Sequence, residues 1–465
     1  MTTRPKVAVI GAGFGGIAAA VAVRDDGDPV VLERGSDVGG VWRENSYPGA
    51  ACDIPSHLYS FSFALEHRWS RRFAPQPDIL RYLRRITDEF GLRPRLRLRT
   101  EVTEARYDDD RSVWRLTTAT GDALEAQMLV AACGQLTRPT RPDVPGLATF
   151  HGPVLHSARW DPDVDLRGRR VAVVGTGASA VQIVPAVADD VAHLTVFQRS
   201  AAHLVPKPDR RYSALHHALF RRVPVWRRGA RALLMAVFER AGAAPVGPAS
   251  AAVRRAWELL LRVQVPDAGL RARLRPAHAL GSRRVLVSSD WYRALRKPHV
   301  DLVTAAVDEV TPCGVRTVDG ALHPADVIVL ATGFESDVFV TPMKVFGRDG
   351  RELSDEWRDG AAAHLGMAVP GFPNLFLVHG PHTALRAGSV VHMIECQARY
   401  VLQAVRRIAG GTHTLEVRRE VADAFAAEMA ERSEPGTRNA HEWPGTMREY
   451  ERRTARFADT DFLAT

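Results

Sequence analysis

The apolar positions of this chain fall into short, continuous runs rich in β-branched residues, each followed by a glycine-rich turn and a helical stretch. Val7-Ala8-Val9-Ile10 is the first of these runs, and Arg170–Val174 begins a second copy of the same arrangement. Continuously apolar runs of this length are typical of strands buried on both faces of a parallel sheet. Further strands of this kind are predicted at Pro29–Glu33, Met128–Gly134, Leu194–Phe197 and Asp326–Phe334.

The repeated order of strand, turn and helix predicts an α/β fold with two Rossmann-like dinucleotide-binding domains. The strand at Asp326–Phe334 resembles the one at Met128–Gly134, because both end in small residues. We therefore expect both ends of the chain to build the first domain, with the second domain inserted between them. The expected bounds are 1–145 and 326–465 for the first domain, 146–168 for a linker and 169–325 for the second domain.

Three other stretches follow a helical period. Residues 78–90 and about 390–408 each predict one helix. Ala, Leu and Arg recur at helical spacing through about residues 210–280, which predicts a helical insertion within the second domain. Such an insertion can line a substrate route or can serve as a surface for helix packing, and the sequence leaves both interpretations open.

The composition is that of an ordinary globular protein, with 46% hydrophobic and 25% charged residues. A chain of 465 residues has room for two or three domains. No apolar run approaches the roughly 18 residues of a membrane span, and the first residues carry no apolar signal segment. We therefore expect a cytoplasmic protein without a membrane span.

The formal charge is +9, and only four of the 62 basic residues are lysines. A positive net charge of this kind is typical of proteins that bind nucleic acid or an anionic surface. Because the arginines are spread through the chain, a solvated surface with a few anion sites is the favoured interpretation, and no nucleic-acid partner is expected.

The cysteines and histidines give no pattern of a metal or disulfide site. The four cysteines are far apart in the sequence, and none forms a Cys-x-x-Cys pair, so we expect buried, reduced thiols. The adjacent His216 and His217 have no further ligand at metal spacing and are expected to be surface or capping residues. No metal site is therefore predicted. The cysteines are Cys52, Cys133, Cys313 and Cys396.

The first glycine motif has the setting that dinucleotide binding requires, between a strand and a helix. Gly11 permits the tight turn, Gly13 lets the backbone approach a pyrophosphate, and Gly16 lets helix and strand pack closely. Glu33 ends the next strand, where a carboxylate can accept a hydrogen bond from a ribose hydroxyl. These features together predict a nucleotide site.

A glycine-rich and aromatic loop follows this site. Gly40 and Trp42 would let the backbone lie against a flat ring system and would place Asp53 nearby. On these residues alone, an irregular loop with a capping Asp is an equal alternative.

The second glycine motif, with Gly175 and Gly177, lacks the acid that the first one has. Arg199 and Ser200 follow its second strand instead. A carboxylate there would repel a 2′-phosphate, whereas an Arg and a hydroxyl can hold one. The second site is therefore predicted to prefer NADP to NAD.

The linker is bulkier than a plain connector requires, and its residues carry a recognisable pattern. Phe150, Gly152, His156, Trp160 and Asp161 follow the pattern Phe-x-Gly-x-x-x-His-x-x-x-Trp-(Pro/Asp). Two nucleotide fingerprints joined by this linker resemble the class B flavoprotein monooxygenases, and specifically the type I Baeyer–Villiger monooxygenases. The loop from Gly39 to Asp53 and the turn at Gly333 also fit that family.

The resemblance implies FAD at the first site and NADPH at the second. It also implies that the enzyme uses O2 and converts a ketone to an ester or lactone through a C4a-peroxyflavin. An Arg can stabilise an anionic oxidant without protonating it, since its pKa is too high for proton donation. In the family this role maps to Arg284, with Arg283 reaching the cofactor phosphate and Asp53 orienting Arg284. His156 and Trp160 would couple domain movement to cofactor position.

Two alternatives stay open beside ketone oxygenation. One is an N- or S-hydroxylating flavin monooxygenase of the same class, and the other is a non-enzymatic nucleotide-binding redox module. The loop Gly380–Gly388 differs from the Asn-richer loop of relatives, which leaves the substrate and the reacting bond open. Arg386 within it is a candidate contact for an acidic substrate. The sequence does not determine the oligomeric state.

Overall fold

The first predicted domain is built on a five-stranded parallel sheet. The structure is a computed structural model that describes residues 4–243, 249–280, 283–335, 338–385, 387–433 and 441–465. The sheet is buried because its central strands are apolar on both faces. Its strands, in spatial order, are Leu375–Leu377, Met128–Ala131, Lys6–Ile10, Asp28–Leu32 and Leu96–Arg97.

Two helices cover the glycine turn of this sheet. Phe14–Val23 follows the turn directly, and it packs against the long helix Val390–Ala409. Small residues on the first helix, such as Ala18 and Ala19, are fully buried and allow this close contact. The helices expected at 78–90 and 390–408 are confirmed at Gln76–Glu89 and Val390–Ala409.

The second sheet also has five parallel strands, and it contradicts one boundary expected from the sequence. Val327–Leu330 pairs with Arg170–Val174 and Val154–His156, so it belongs to the second sheet and not to the first. A strand buried on both faces has the same sequence pattern in either sheet, so the pattern could not assign it. The linker also contributes an edge strand. The spatial order is Val300–Val303, His193–Phe197, Arg170–Val174, Val327–Leu330 and Val154–His156.

Smaller elements complete the two halves. One four-stranded sheet joins Lys344–Phe346, Val102–Asp108, Val113–Thr118 and Ala123–Ala126. A three-stranded antiparallel sheet comprises Val307–Thr311, Gly314–Thr317 and Leu322–Pro324. Two strand pairs join Leu204–Val205 with Leu286–Val287 and Leu415–Val417 with Phe462–Ala464. The other helices are Val41–Glu44, Ala178–Val187, Trp291–Ala294, Leu353–Glu356, Arg419–Arg432 and Met447–Thr454, and 3-10 turns lie at Arg93–Arg95, Leu147–Thr149, Arg348–Gly350 and Asp459–Asp461.

Helices occupy the stretch expected to be a helical insertion, and one buried arginine fixes them to the first domain. The Arg231 guanidinium donates to the carbonyl oxygens of Leu58 and Ser60 at 3.1 and 2.7 Å. It also pairs with the buried carboxylate of Glu395 at 3.2 Å. None of the helices in the described residues is long and apolar enough to span a membrane. The insertion helices are Ala214–Arg222, Pro224–Ala243, Ala249–Gln264 and Ala268–Arg273.

The expected burial of the thiols is correct for Cys52 and Cys396, which are buried. It is wrong for Cys313, which is exposed on the turn between two short antiparallel strands. Cys133 is partly buried beside the first glycine turn. The expectation for His216 is confirmed, because its Nδ1 takes part in the capping box of the helix that follows Ser213.

Candidate active site

The first glycine turn leaves no room for side chains. Gly11 has a φ of +97°, and a Cβ there would lie 2.6 Å from the carbonyl oxygen of Ala132. A Cβ on Gly16 would lie 1.8 Å from the carbonyl oxygen of Gly11. Gly13 precedes the helix Phe14–Val23, packs against Gly40 and lines the cleft in front of the turn. The turn therefore has the close packing that a pyrophosphate site needs.

Glu33 is buried and holds the turn in shape. Its carboxylate accepts hydrogen bonds from the backbone N–H groups of Ala12 at 2.7 Å and Gly35 at 2.8 Å. It also pairs with the guanidinium of Arg43 at 3.1 Å. The sequence did not single out Arg43, although its position beside Trp42 in the glycine-rich loop was a possible signal.

The cleft in front of this turn is long and mostly apolar. Gly40 and Trp42 line it, and the Trp42 indole N–H donates to the Tyr59 hydroxyl at 3.1 Å. His379 also lines this cleft, where burial lowers its pKa to about 4 and keeps the imidazole neutral at pH 7. The lining also includes Cys133, Gly134, Arg159, Val390 and Ile394.

Asp53 and Arg284 lie together, as the resemblance implies. Their closest carboxylate and guanidinium atoms are 3.7 Å apart. The Asp53 side chain is 16% exposed, whereas that of Arg284 is 67% exposed. The carboxylate is thus the fixed member of the pair, and the guanidinium reaches it from solvent.

Gln182 is a contact that sequence reasoning missed. It lies on the helix that follows the second glycine turn, and its amide N–H donates to Asp53 at 3.2 Å and to the Ala51 carbonyl oxygen at 2.9 Å. Its carbonyl oxygen accepts from the Tyr47 hydroxyl at 3.0 Å. One amide therefore joins the two halves of the molecule at the carboxylate that meets Arg284. Gln182 is far from Asp53 in sequence, so no local pattern reveals the contact.

The second glycine turn is more open. Gly175 packs closely on Ala331, whereas a Cβ on Gly177 would meet no atom within 4 Å. The Arg283 guanidinium lies 3.3 Å from the Ser200 hydroxyl. Arg199 is exposed next to Ser200, directly after the strand His193–Phe197. The predicted phosphate-binding side chains therefore gather at the carboxyl end of the second sheet.

His156 connects the linker to the second sheet. Its Nδ1 accepts from the backbone N–H of Ala158 at 3.0 Å, and its Nε2 lies 3.3 Å from the Thr332 hydroxyl. That hydroxyl donates to the Thr140 carbonyl oxygen, so its oxygen accepts the Nε2 proton. Burial lowers the pKa of His156, which favours this neutral form. Gly333 follows Thr332 and faces open space.

The remaining linker residues have structural contacts. Phe150 is buried in the small core below the second sheet. A Cβ on Gly152 would lie 2.2 Å from the carbonyl oxygen of Asp326, so only glycine fits there. Trp160 packs partly buried against the core of the second half. Asp161 is exposed and accepts from the backbone N–H of Asp163.

Within the described residues, metal-type ligands approach one another at His392, Cys396 and Glu451. The guanidinium of Arg399 lies 3.2 Å from the Cys396 sulfur and 3.3 Å from the Glu451 carboxylate. A side-chain cation therefore already accompanies this group. Arg386, the candidate contact for an acidic substrate, lies outside the described residues.

Comparison with known proteins agrees with this geometry. Residues 4–210 match the family model described as flavin-binding monooxygenase-like. The chain is 42% identical to a Baeyer–Villiger monooxygenase of Streptomyces coelicolor, over 97% of this chain and 91% of the relative. It is 32% identical to the phenazine N-monooxygenase PhzNO1 of Lysobacter antibioticus, over 91% of this chain and 86% of the relative.

The likeness extends to solved structures. The structure of oxidised steroid monooxygenase bound to NADP superposes on this chain with a TM-score of 0.90 and 30% identity, covering 99% of both chains. These matches run through both nucleotide turns and the linker that joins them. The chain therefore belongs to the Baeyer–Villiger monooxygenase family of flavin-binding monooxygenases.

Proposed function

We propose that this protein is a Baeyer–Villiger monooxygenase that uses FAD, NADPH and O2 to convert a ketone to an ester or lactone. The observation that carries the proposal is the pairing of Arg284 with Asp53 between two nucleotide-binding turns of different character. A flavin enzyme of this type needs a cation near the reacting oxygen, a dinucleotide cradle and a separate coenzyme site. The described residues supply a candidate for each.

The first cleft fits FAD. Its lining includes the backbone of Gly11 and Gly13, where the absence of side chains lets a pyrophosphate approach the main chain. Its apolar wall suits a flat ring system. When bound and reduced, FAD supplies the activated oxygen, and the protein supplies binding, orientation and electrostatics.

The second turn fits NADPH better than NADH. Ser200 and Arg283 are close enough to bind one phosphate group together, and Arg199 adds a second positive charge beside them. Charge-assisted hydrogen bonds to a 2′-phosphate favour the phosphorylated coenzyme. These side chains are exposed, which suits a coenzyme that enters and leaves.

Arg284 is the proposed catalytic cation. Its guanidinium stabilises negative charge on oxygen during attack on the carbonyl, and it does not give up a proton near neutral pH. Asp53 orients it, and Gln182 donates to the other carboxylate oxygen of Asp53. The large exposure of Arg284 means that its field strengthens only when the cleft closes around it and excludes water.

The 32% identity to a phenazine N-monooxygenase favours N-oxidation as a second candidate reaction. The two reactions place opposite demands on the site. Attack on a carbonyl needs an anionic oxidant that a nearby cation stabilises. Attack by an amine needs a protonated, electrophilic oxidant instead.

The test is a matched substrate panel of cyclic ketones, aryl ketones and heteroaromatic amines, supplied with NADPH and 18O2 and analysed by mass spectrometry. We expect ketone products that are heavier by one labelled oxygen, and an NADPH consumption that ketones stimulate. Labelled N-oxides without labelled esters would support the second candidate instead. Flavin binding without NADPH oxidation would indicate a redox module and would contradict both enzymatic proposals.

A further inference from the structure

The helical insertion carries an unusual share of the exposed apolar surface. Among the described residues, fourteen large apolar side chains are exposed, and eight of them lie between residues 214 and 264. Isolated exposed apolar residues are normal, but their concentration in one segment marks an interaction surface. These eight are Leu215, Val225, Trp226, Leu233, Val237, Val253, Leu259 and Val263.

The helix Pro224–Ala243 is oriented so that one apolar stripe faces outward. Trp226, Leu233 and Val237 share one face at helical spacing, and they are 55%, 68% and 52% exposed. Arg231 lies on the opposite face, where it is 8% exposed and bonded to the first domain. The inner face is therefore fixed, and the stripe cannot turn inward without breaking the buried pair with Glu395.

The positive charge of the protein is concentrated on the same segment. Residues 214–264 contain nine Arg and two Glu, so their net charge is +7, compared with a formal net charge of +9 for the whole chain. The arginines are spread through the chain, as expected, but this segment has few acids to balance its own. Arg240 lies on the same face of this helix as the stripe, Arg222 ends the preceding helix, and Arg228 lies on the opposite side of the helix from the stripe. All three are exposed and have no ion pair in the described part of the molecule.

We propose that this outward face, with Trp226, Leu233 and Val237 at its centre, binds the surface of an anionic lipid bilayer. Apolar side chains that project from a helix between arginines enter the boundary of headgroups and acyl chains, while the guanidiniums bind lipid phosphates. A second copy of this chain is a poor occupant, because two faces of strong positive charge repel each other. The proposal does not depend on the reaction proposed above.

The test uses the full chain with its flavin and extruded vesicles of phosphatidylcholine, with or without phosphatidylglycerol. Sedimentation at low and at physiological salt should show binding to the anionic vesicles only, and salt should weaken it. The triple variant Trp226→Ser, Leu233→Ser, Val237→Ser should lose at least tenfold in partition. Arg222→Gln and Arg240→Gln should each lose about fivefold, whereas Arg228→Gln, on the opposite side of the helix, should lose less.

The matched control is the triple variant Val318→Ser, Leu322→Ser, Leu463→Ser, which removes exposed apolar residues elsewhere in the molecule. It should bind vesicles as the original chain does. Thermal melting verifies that each variant is folded. Equal binding to neutral and anionic vesicles, no binding to either, or a concentration-dependent dimer that the Trp226 variant abolishes would each overturn the proposal.

Discussion

The two glycine turns begin from nearly the same strand, turn and helix, yet they end as different kinds of site. The first is enclosed by the loop around Trp42, the wall at His379 and the buried carboxylate of Glu33. The second is bordered by exposed residues, among them Arg199, Ser200 and Arg283. The glycines create a place for a pyrophosphate in both cases, but the surrounding segments determine how long a ligand stays. The first turn suits a retained cofactor, and the second suits an exchanging coenzyme.

The largest effect is expected when one methyl group is added to a glycine of each turn, because the two turns differ most in how closely they are packed. In Gly16→Ala the new Cβ would lie 1.8 Å from a backbone oxygen, so we expect loss of FAD and poor folding. In Gly177→Ala the new Cβ meets nothing within 4 Å, so FAD retention should be unchanged. The ratio of flavin to protein absorbance after purification measures the difference. Equal flavin content in both variants would contradict the close packing described at Gly16.

The next largest effect is expected where the insertion is fixed to the first domain. Arg231→Met leaves the Glu395 carboxylate and several carbonyl oxygens buried without their partner. Removing one member of a buried pair costs about 3–5 kcal/mol in the free energy of unfolding, which denaturant melts can measure. The double variant with Glu395→Met should recover much of the loss. If the loss of stability in the double variant equals the sum of the losses in the two single variants, the pair is not coupled.

Acid should destabilise the folded protein through histidines that burial keeps neutral, one beside the helical insertion and one in the first cleft. Burial lowers the pKa of His57 and of His379 to about 4, below the value of about 6.5 for an exposed imidazole. Between pH 6.5 and 4 the unfolded chain therefore binds more protons than the folded chain. The free energy of unfolding is greatest above pH 6.5 and falls as the pH falls toward 4. The loss is at most about 3 kcal/mol for each histidine.

This pH dependence is measured as the melting temperature between pH 4 and 8. The variant His57→Gln should show a shallower decline below pH 6.5, whereas the exposed His151→Gln should follow the original curve. A melting temperature that is constant over this range would contradict the neutral, buried state of these imidazoles.

The smallest expected effect concerns the choice of coenzyme at the open site. Arg283→Gln should raise KM for NADPH by about 10- to 100-fold, because one charge-assisted hydrogen bond to the 2′-phosphate is lost. KM for NADH should change little, since NADH lacks that phosphate. Initial rates measured with both coenzymes give the two KM values and their ratio. Equal increases in the two KM values would mean that Arg283 does not bind the 2′-phosphate.

Sequence patterns could predict the parts of the fold that depend on neighbouring residues. The two glycine turns, their strands and the helix at Val390–Ala409 follow from local spacing and apolar periodicity. The membership of Val327–Leu330 in the second sheet could not be predicted, because an apolar strand has no sequence mark of its partners. Gln182 was missed because its contact with Asp53 joins segments that are far apart in the sequence. Arg43 was missed because the loop sequence does not show which of its side chains turns toward Glu33.

The central claim is that the guanidinium of Arg284, oriented by Asp53, stabilises the attacking oxygen. The most direct measurement compares ketone oxygenation with NADPH oxidation in Arg284→Met, with Arg293→Met as a control at an exposed arginine outside the site. We expect ester formation to fall about 100- to 1,000-fold in Arg284→Met, as on loss of one such electrostatic group, with FAD retained and the control unchanged. Undiminished ester formation in Arg284→Met would contradict the account.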